Sequence, residues 1–184
     1  MKVNKEVVER AWKEILQEGL GLDIDEHLYD TPKRIAKFYE EFFEKKRTAF
    51  TDFLEEDYGG MVIIRSEGFS ICSHHFLPFR YDCYVGYIPK KRIIGASKIP
   101  RVVDMFARRP QVQERLTEQI VDYIFSHFAV EGVMVSMIGE HLCMIMRGVK
   151  KQNSKMVTSS FRGNFENQTV RNEFFNLIKL WECR

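Results

Sequence analysis

The sequence predicts an α+β fold, a sheet with helices on one face, and three features of its apolar pattern predict it. Apolar residues recur at helical spacing up to about residue 45, shift to strand-like runs after Gly59-Gly60, and return to helical spacing from Ser97 to about Gly132. Further short β-type runs and a last helical stretch follow. The resulting order is two helices, then strand-strand-helix-helix-strand-strand, so that 1–58 reads as an N-terminal helical region and 59–184 as the main domain.

Asn4 is placed to cap a first helix whose Val8, Ala11, Trp12, Ile15 and Leu16 share one face, and Gly19-Leu20-Gly21 stops it. Thr31-Pro32 reads as an N-cap followed by proline in the first helical position. Ile35, Phe38, Tyr39, Phe42 and Phe43 carry that second helix to about Lys45. Residues 46 to 59 are mixed and acidic in the middle. Short strands are expected at Met61 to Ile64 and Phe69 to Ile71. Arg80 to Ile88 alternates, and Pro89-Lys90-Lys91 suggests a hairpin into Arg92 to Gly95. Ser97 reads as the cap of a short helix with Pro100 in its first turn. A longer helix buries Val112, Leu116, Ile120, Ile124 and Phe128. Val133 to Ile138, Leu142 to Val149 and Val157 to Phe161 read as strands, and Glu173 to Leu180 as a helix.

Composition narrows the class. With 184 residues and 45% hydrophobic content the chain supports a real core, burying about two-thirds of its extended surface. Charged residues make up 29% and nearly cancel at a net +2, which argues against nucleic acid or an anionic membrane as partner. The start is charged, without the apolar core of a signal peptide, and no apolar run nears the ~20 residues of a spanning helix. A cytoplasmic protein is expected. Four cysteines, two of them close to histidines, suit reduced thiols or a metal site better than a disulfide framework.

Ser70-Ile71-Cys72-Ser73-His74-His75 puts a thiol and two imidazoles within four consecutive positions. A lone Cys-x-x-His is a weak signal, but Glu140-His141-Leu142-Cys143 supplies a distant second half-site, and zinc takes Cys and His ligands in tetrahedral geometry. Cys72, His75 and Cys143 as ligands would leave a fourth position for water, whereas four protein ligands would make the site structural. His74 and His141, beside these ligands in sequence, are then candidates for proton transfer. The competing reading is that such cysteines and histidines are satisfied core residues; Cys83 and Cys183 take that reading, and His27 and His127 are read as surface or helix-face residues.

Gly95-Ala96-Ser97-Lys98-Ile99-Pro100-Arg101 sets Lys98 and Arg101 in the first turn of a helix, where cations oppose the dipole unless an anion is bound. Arg147 and Lys150-Lys151, and Arg34 with Lys37 one turn apart, could add to that charge; solvated surface charge is the alternative. Glu114 favours the start of its helix whatever its function.

Together, Cys72-Ser73-His74-His75, Ile94-Gly95-Ala96-Ser97-Lys98-Ile99, the run Arg109 to Thr117, Glu140-His141-Leu142-Cys143-Met144 and Met146-Arg147-Gly148-Val149 resemble the GTP cyclohydrolase I family. Thr31 to Lys37 resembles its helical region ahead of the catalytic domain. The resemblance implies the tunnelling fold, ββααββ, with subunit sheets joined into a barrel and two rings stacked as a homodecamer with active sites between subunits. It implies a zinc-dependent hydrolase acting on GTP at C8, releasing formate and forming 7,8-dihydroneopterin triphosphate. Cys72, His75 and Cys143 look like the zinc ligands, and His74, His141 and Ser97 like the catalytic residues. Lys98, Arg101, Arg147, Arg34 and Lys37 look like phosphate contacts. Gln113 with Glu114 looks like the guanine clamp: a fixed carboxylate matches the N1–H and exocyclic amine donors of guanine, and adenine would leave it unpaired. One departure stands out. The family usually carries glutamate where this chain has Ser73, and serine holds no charge at neutral pH; a zinc-stabilised nucleotide- or pterin-binding protein with altered or lost catalysis is therefore the alternative function.

Overall fold

The computed structural model of the chain describes residues 2–44 and 58–182, and it divides into two units, Met1–Lys46 and Arg47–Arg184. In the first, helix α1 spans Lys5–Glu14 and continues as a π-helical turn through Ile15–Gly19. Asn4 caps it as expected, its side chain accepting from the Val7 amide at 3.1 Å. Helix α2 is Thr31–Phe43, with Asp30 rather than Thr31 in the cap position and Pro32 in the first turn, where a missing N–H costs nothing. Leu16, Ala36 and Phe43 are buried, and Lys5 pairs with Glu40 at 3.0 Å to tie the helices together. The expected extension toward Lys45, the acidic stretch to residue 57 and Cys183 lie outside the described residues.

The second unit is built on one five-stranded sheet in the order β3-β1-β2-β4-β5, where β1 is Val62–Cys72, β2 Pro78–Pro89, β3 Pro110–Gln111, β4 Val130–His141 and β5 Met156–Gly163. All neighbours are antiparallel except the short β3, which runs parallel to the end of β1 and pairs Cys72 with Gln111. Helices α3, Lys98–Ala107, and α4, Gln113–His127, cover one face. Their Ile99, Val102, Val103, Leu116, Ile120 and Ile124 meet the Cys83, Val85 and Val135 side of the sheet in the main core. A second core forms on the other face, where Tyr84 and Met134, alternating with those residues, pack against Phe174 and Ile178. These belong to α6, Gln168–Glu182, which follows a 3₁₀ turn at Asn164–Glu166. Phe174 lies so close to Gly86 that a Cβ there would come within 2.6 Å of its ring.

Several expectations are corrected. The two short runs before Cys72 are one strand, because the polar stretch Arg65-Ser66-Glu67 is held by ladder pairing and by Arg65 on Asp82. Arg92 to Gly95 is not a hairpin strand: β2 pairs with β1 and β4 instead, and Ile94 is held by its amide and carbonyl on the Tyr87 hydroxyl at 3.0 and 3.2 Å. Helix α4 ends at His127, five residues short of Gly132, and β4 begins sooner. Leu142 to Val149 is not a strand but a helical turn, α5 at Leu142–Ile145, followed by loop with Gly148 and Lys150 at φ +60 and +48. Its short apolar run fits either period, so spacing alone could not separate them. The final helix starts five residues earlier than expected.

Candidate metal and catalytic site

The two half-sites of the sequence meet at one end of the sheet. Cys72 ends β1 and is buried; its amide donates to the Leu77 carbonyl and its carbonyl accepts from the Phe76 amide, both at 2.8 Å, closing a turn that Phe76 enters with φ 56. The β3 strand clamps this turn from the side, with the Ser73 amide donating to Gln111 O at 2.9 Å. Gln111 is itself buried, donating to Phe106 O and to Gln119 and accepting from Arg115. On the far side of β2, β4 ends at His141 and α5 presents Cys143.

The Cys143 and Cys72 sulfurs are 3.9 Å apart, and Cys72 Sγ lies 3.9 Å from Nδ1 of His75. Among the described residues, Cys72, His141 and Cys143 form the group whose ligand atoms all lie within 4.8 Å of one another. Two thiols and an imidazole at that spacing can hold a metal ion. Burial, and then the neighbouring Cys72, push the Cys143 thiol above its ordinary value, and Arg147 partly offsets this. A cation at the sulfurs would reverse that shift.

His141 is the most constrained of the group. Its ring stacks on buried Phe79, with centroids 4.3 Å apart and planes within 8°, and its Nε2 meets Gln113 Oε1 at 2.9 Å. Burial holds its imidazole below the ordinary value, and Glu114, one position along α4 from Gln113, pulls it partly back. Gln113 is fully buried, whereas Glu114 is exposed in the first turn of α4. His74 and His75 are both exposed, their rings edge-to-face at 6.3 Å.

The structure thus brings together Cys72, His74, His75, Gln113, Glu114, His141 and Cys143, with Arg147 in electrostatic reach of Cys143. It does not bring Ser97, Lys98 and Arg101 to them. Ile94 is pinned to Tyr87, eight residues along β2 from Phe79, and α3 runs back from there until the Ala107 carbonyl accepts from Ser70 Oγ at 2.7 Å, so it is the end of α3 and not its start that lies toward Cys72. Lys98 there is buried, and Ser97 and Arg101 are exposed; Ser97 makes no side-chain capping bond. Arg34 and Lys37, in the first unit, face Asp30 and Glu41 at 3.6 and 3.8 Å.

Comparison with known proteins decides the family. The profile described as GTP cyclohydrolase I matches residues 8–179, nearly the whole chain. The chain belongs to the GTP cyclohydrolase I family. GTP cyclohydrolase 1 of Parabacteroides distasonis is 48% identical over 95% of this chain and 93% of its own length. That of Sulfurihydrogenibium sp. is 47% identical over 97% of each, and that of Bacillus pumilus 42% identical over 97% of this chain and 98% of its own. Among solved structures, an archaeosine synthase QueF-Like in the apo form superimposes with a TM-score of 0.50 at 15% identity, covering 59% of this chain and 98% of that one, which bears on the fold alone. The sheet and its paired helices are the tunnelling fold. Sequence reading missed Phe79, Thr117, Thr158 and Gly139, which the structure packs around His141 and Gln113. Only Gly139 carried a signal, a glycine inside an apolar strand marking close approach of another group.

Proposed function

We propose that this chain hydrolyses GTP at C8 of its guanine, releasing formate and forming 7,8-dihydroneopterin triphosphate. The observation that carries this is the meeting of Cys72, at the end of β1, and Cys143, in α5, beside His141 and the Gln113-Glu114 pair in a member of this family.

The donors fit zinc. Two thiolates bound tetrahedrally at about 2.3 Å would sit about 3.8 Å apart, and the sulfurs are 3.9 Å apart. Cys72, His75 and Cys143 would hold the ion, which supplies Lewis-acid activation of water at neutral pH. His141 offers a second imidazole within 4.8 Å of both sulfurs; metal content separates the two choices, since His75→Ala should lose zinc and His141→Ala should keep it.

His141 moves a proton at N7 of the purine, and His74 with Ser97 assists opening of the ribose. Glu114 accepts from the guanine N1–H and amine. Lys98, Arg101, Arg147, Arg34 and Lys37 neutralise the triphosphate. Because Ser97, Lys98 and Arg101 lie at the other end of the sheet from the thiols of their own chain, a complete site takes them from a neighbouring copy. This supports sites between subunits, the arrangement that a homodecamer of this family would have. Among the described residues no helix is long and apolar enough to cross a membrane, in keeping with a cytoplasmic enzyme.

Purified protein incubated with GTP should release formate with a pterin chromophore, and chelation should abolish both. A metal-loaded oligomer that binds GTP yet releases no formate would sink the proposal and favour the catalytically altered binding protein that Ser73 suggests.

A further inference from the structure

We infer that Gln113 is the positioning residue that fixes His141 in a single tautomer, with its proton on Nε2, so that Nδ1 is the ring atom that works. The inference rests on the reading of His141 as the proton-transfer group.

The orientation of the Gln113 amide follows by elimination. One end of it lies 3.1 Å from Met137 O, 3.1 Å from Met156 O and 3.1 Å from Thr158 Oγ1. Two of these are backbone carbonyls, which only accept, so that end must be the NH₂ group. Thr117 Oγ1 donates to Gln113 O at 2.9 Å, so the Thr158 hydroxyl donates to Thr117 at 2.7 Å and its oxygen can only accept from the amide, sharing one of the two NH₂ hydrogens with a carbonyl. Oε1 therefore faces His141. An amide oxygen has no proton to give, so the contact at 2.9 Å requires one on Nε2 of His141.

Neither partner can turn away. The stack on Phe79 sets the plane of the imidazole. Gln113 Oε1 lies where a Cβ on Gly139 would be, 2.0 Å from that position, so only glycine admits it. Gln113 is fully buried and bonded through both ends, so it acts through His141 and leaves the guanine edge to Glu114. A neighbour that orients a working imidazole in this way is commonly worth about 10–100-fold in activity or metal affinity.

The test is a neutron structure of the metal-loaded, deuterium-exchanged protein, with kinetics of Gln113→Met and Thr158→Val. A deuteron on Nε2 of His141 directed at Gln113 is expected; a bare Nε2 overturns the inference. Gln113→Met should lower kcat for GTP about 10–100-fold with KM and metal content unchanged. Thr158→Val, which removes one anchor and keeps the shape, should show the same split more weakly. A raised KM with kcat kept, in either variant, would place Gln113 on the substrate and overturn the inference. The deuteron in place in a protein that releases no formate would refute the hydrolase reading instead.

Discussion

Gly139→Ala is the perturbation on which the site geometry stakes most. The added methyl would stand 2.0 Å from Gln113 Oε1, 2.9 Å from its Cδ and 3.3 Å from His141 Nε2. Ordinary contact between carbon and oxygen needs more than 3 Å, so the amide must retreat by over 1 Å, and its bonds at 2.9–3.1 Å to His141, Met137, Met156 and Thr158 cannot all survive. Overpacking costs about 1–3 kcal/mol, and a buried amide group left without its partner costs about 1–3 kcal/mol more. A middle value of about 4 kcal/mol lowers Tm by about 8–16 °C for a chain of this size. Differential scanning calorimetry of the metal-loaded protein reads the shift, and formate release reads an accompanying fall in kcat of about 10–100-fold. Gly19→Ala is the control, since a Cβ there meets nothing within 4 Å. Wild-type Tm and kcat in Gly139→Ala would refute the packing on which the His141 arrangement depends.

Cys143→Ser should lose metal and formate release together, measured by elemental analysis and turnover. Burial pushes the Cys83 thiol far up, so it should resist alkylation in the folded protein and label only on unfolding, as peptide mapping would show. Tyr81 carries a buried hydroxyl with no hydrogen-bond partner among the described residues, so Tyr81→Phe should be neutral or raise stability by about 1 kcal/mol. The same hydroxyl lies 2.8 Å from where a Gly68 Cβ would stand, so Gly68→Ala should be destabilising alone and milder in the Tyr81→Phe background. Glu118 is held below the usual carboxylate range by Ser160 and then by Arg162. Its contribution is present above the unfolded carboxylate pKa and lost as pH falls through the lowered folded value. Because the group is about half exposed, Glu118→Gln should flatten acid unfolding by less than about 1 kcal/mol, read from urea midpoints at pH 3 and pH 6.

Much of this molecule could be read before any coordinates. Helical spacing placed α1, α2 and α4 because each carries its apolar residues on one stripe, and Asn4 capped where its oxygen reaches an orphan amide. The candidate metal donors were legible as residue types: thiols and imidazoles in two short clusters have few other uses together. The apolar run after His141 was not legible as structure, because four or five apolar residues satisfy both periods and the choice is made by what they pack on. The short β3 had no signal either, since a two-residue strand exists only through its partner β1.

What the sequence determined by itself was chemistry and local geometry: the candidate donors at Cys72, His75 and Cys143 with His74 and His141 beside them, the amphipathic faces, and the family that its motifs resemble. The tertiary structure decided who meets whom. It brought Cys72 to within 3.9 Å of Cys143, buried Gln113 against His141, and left Lys98 at the far end of the sheet. The reason is physical: spacing and propensity act within about one turn or one strand, while these encounters depend on the register of β2 between β1 and β4, which the whole buried sheet sets at once.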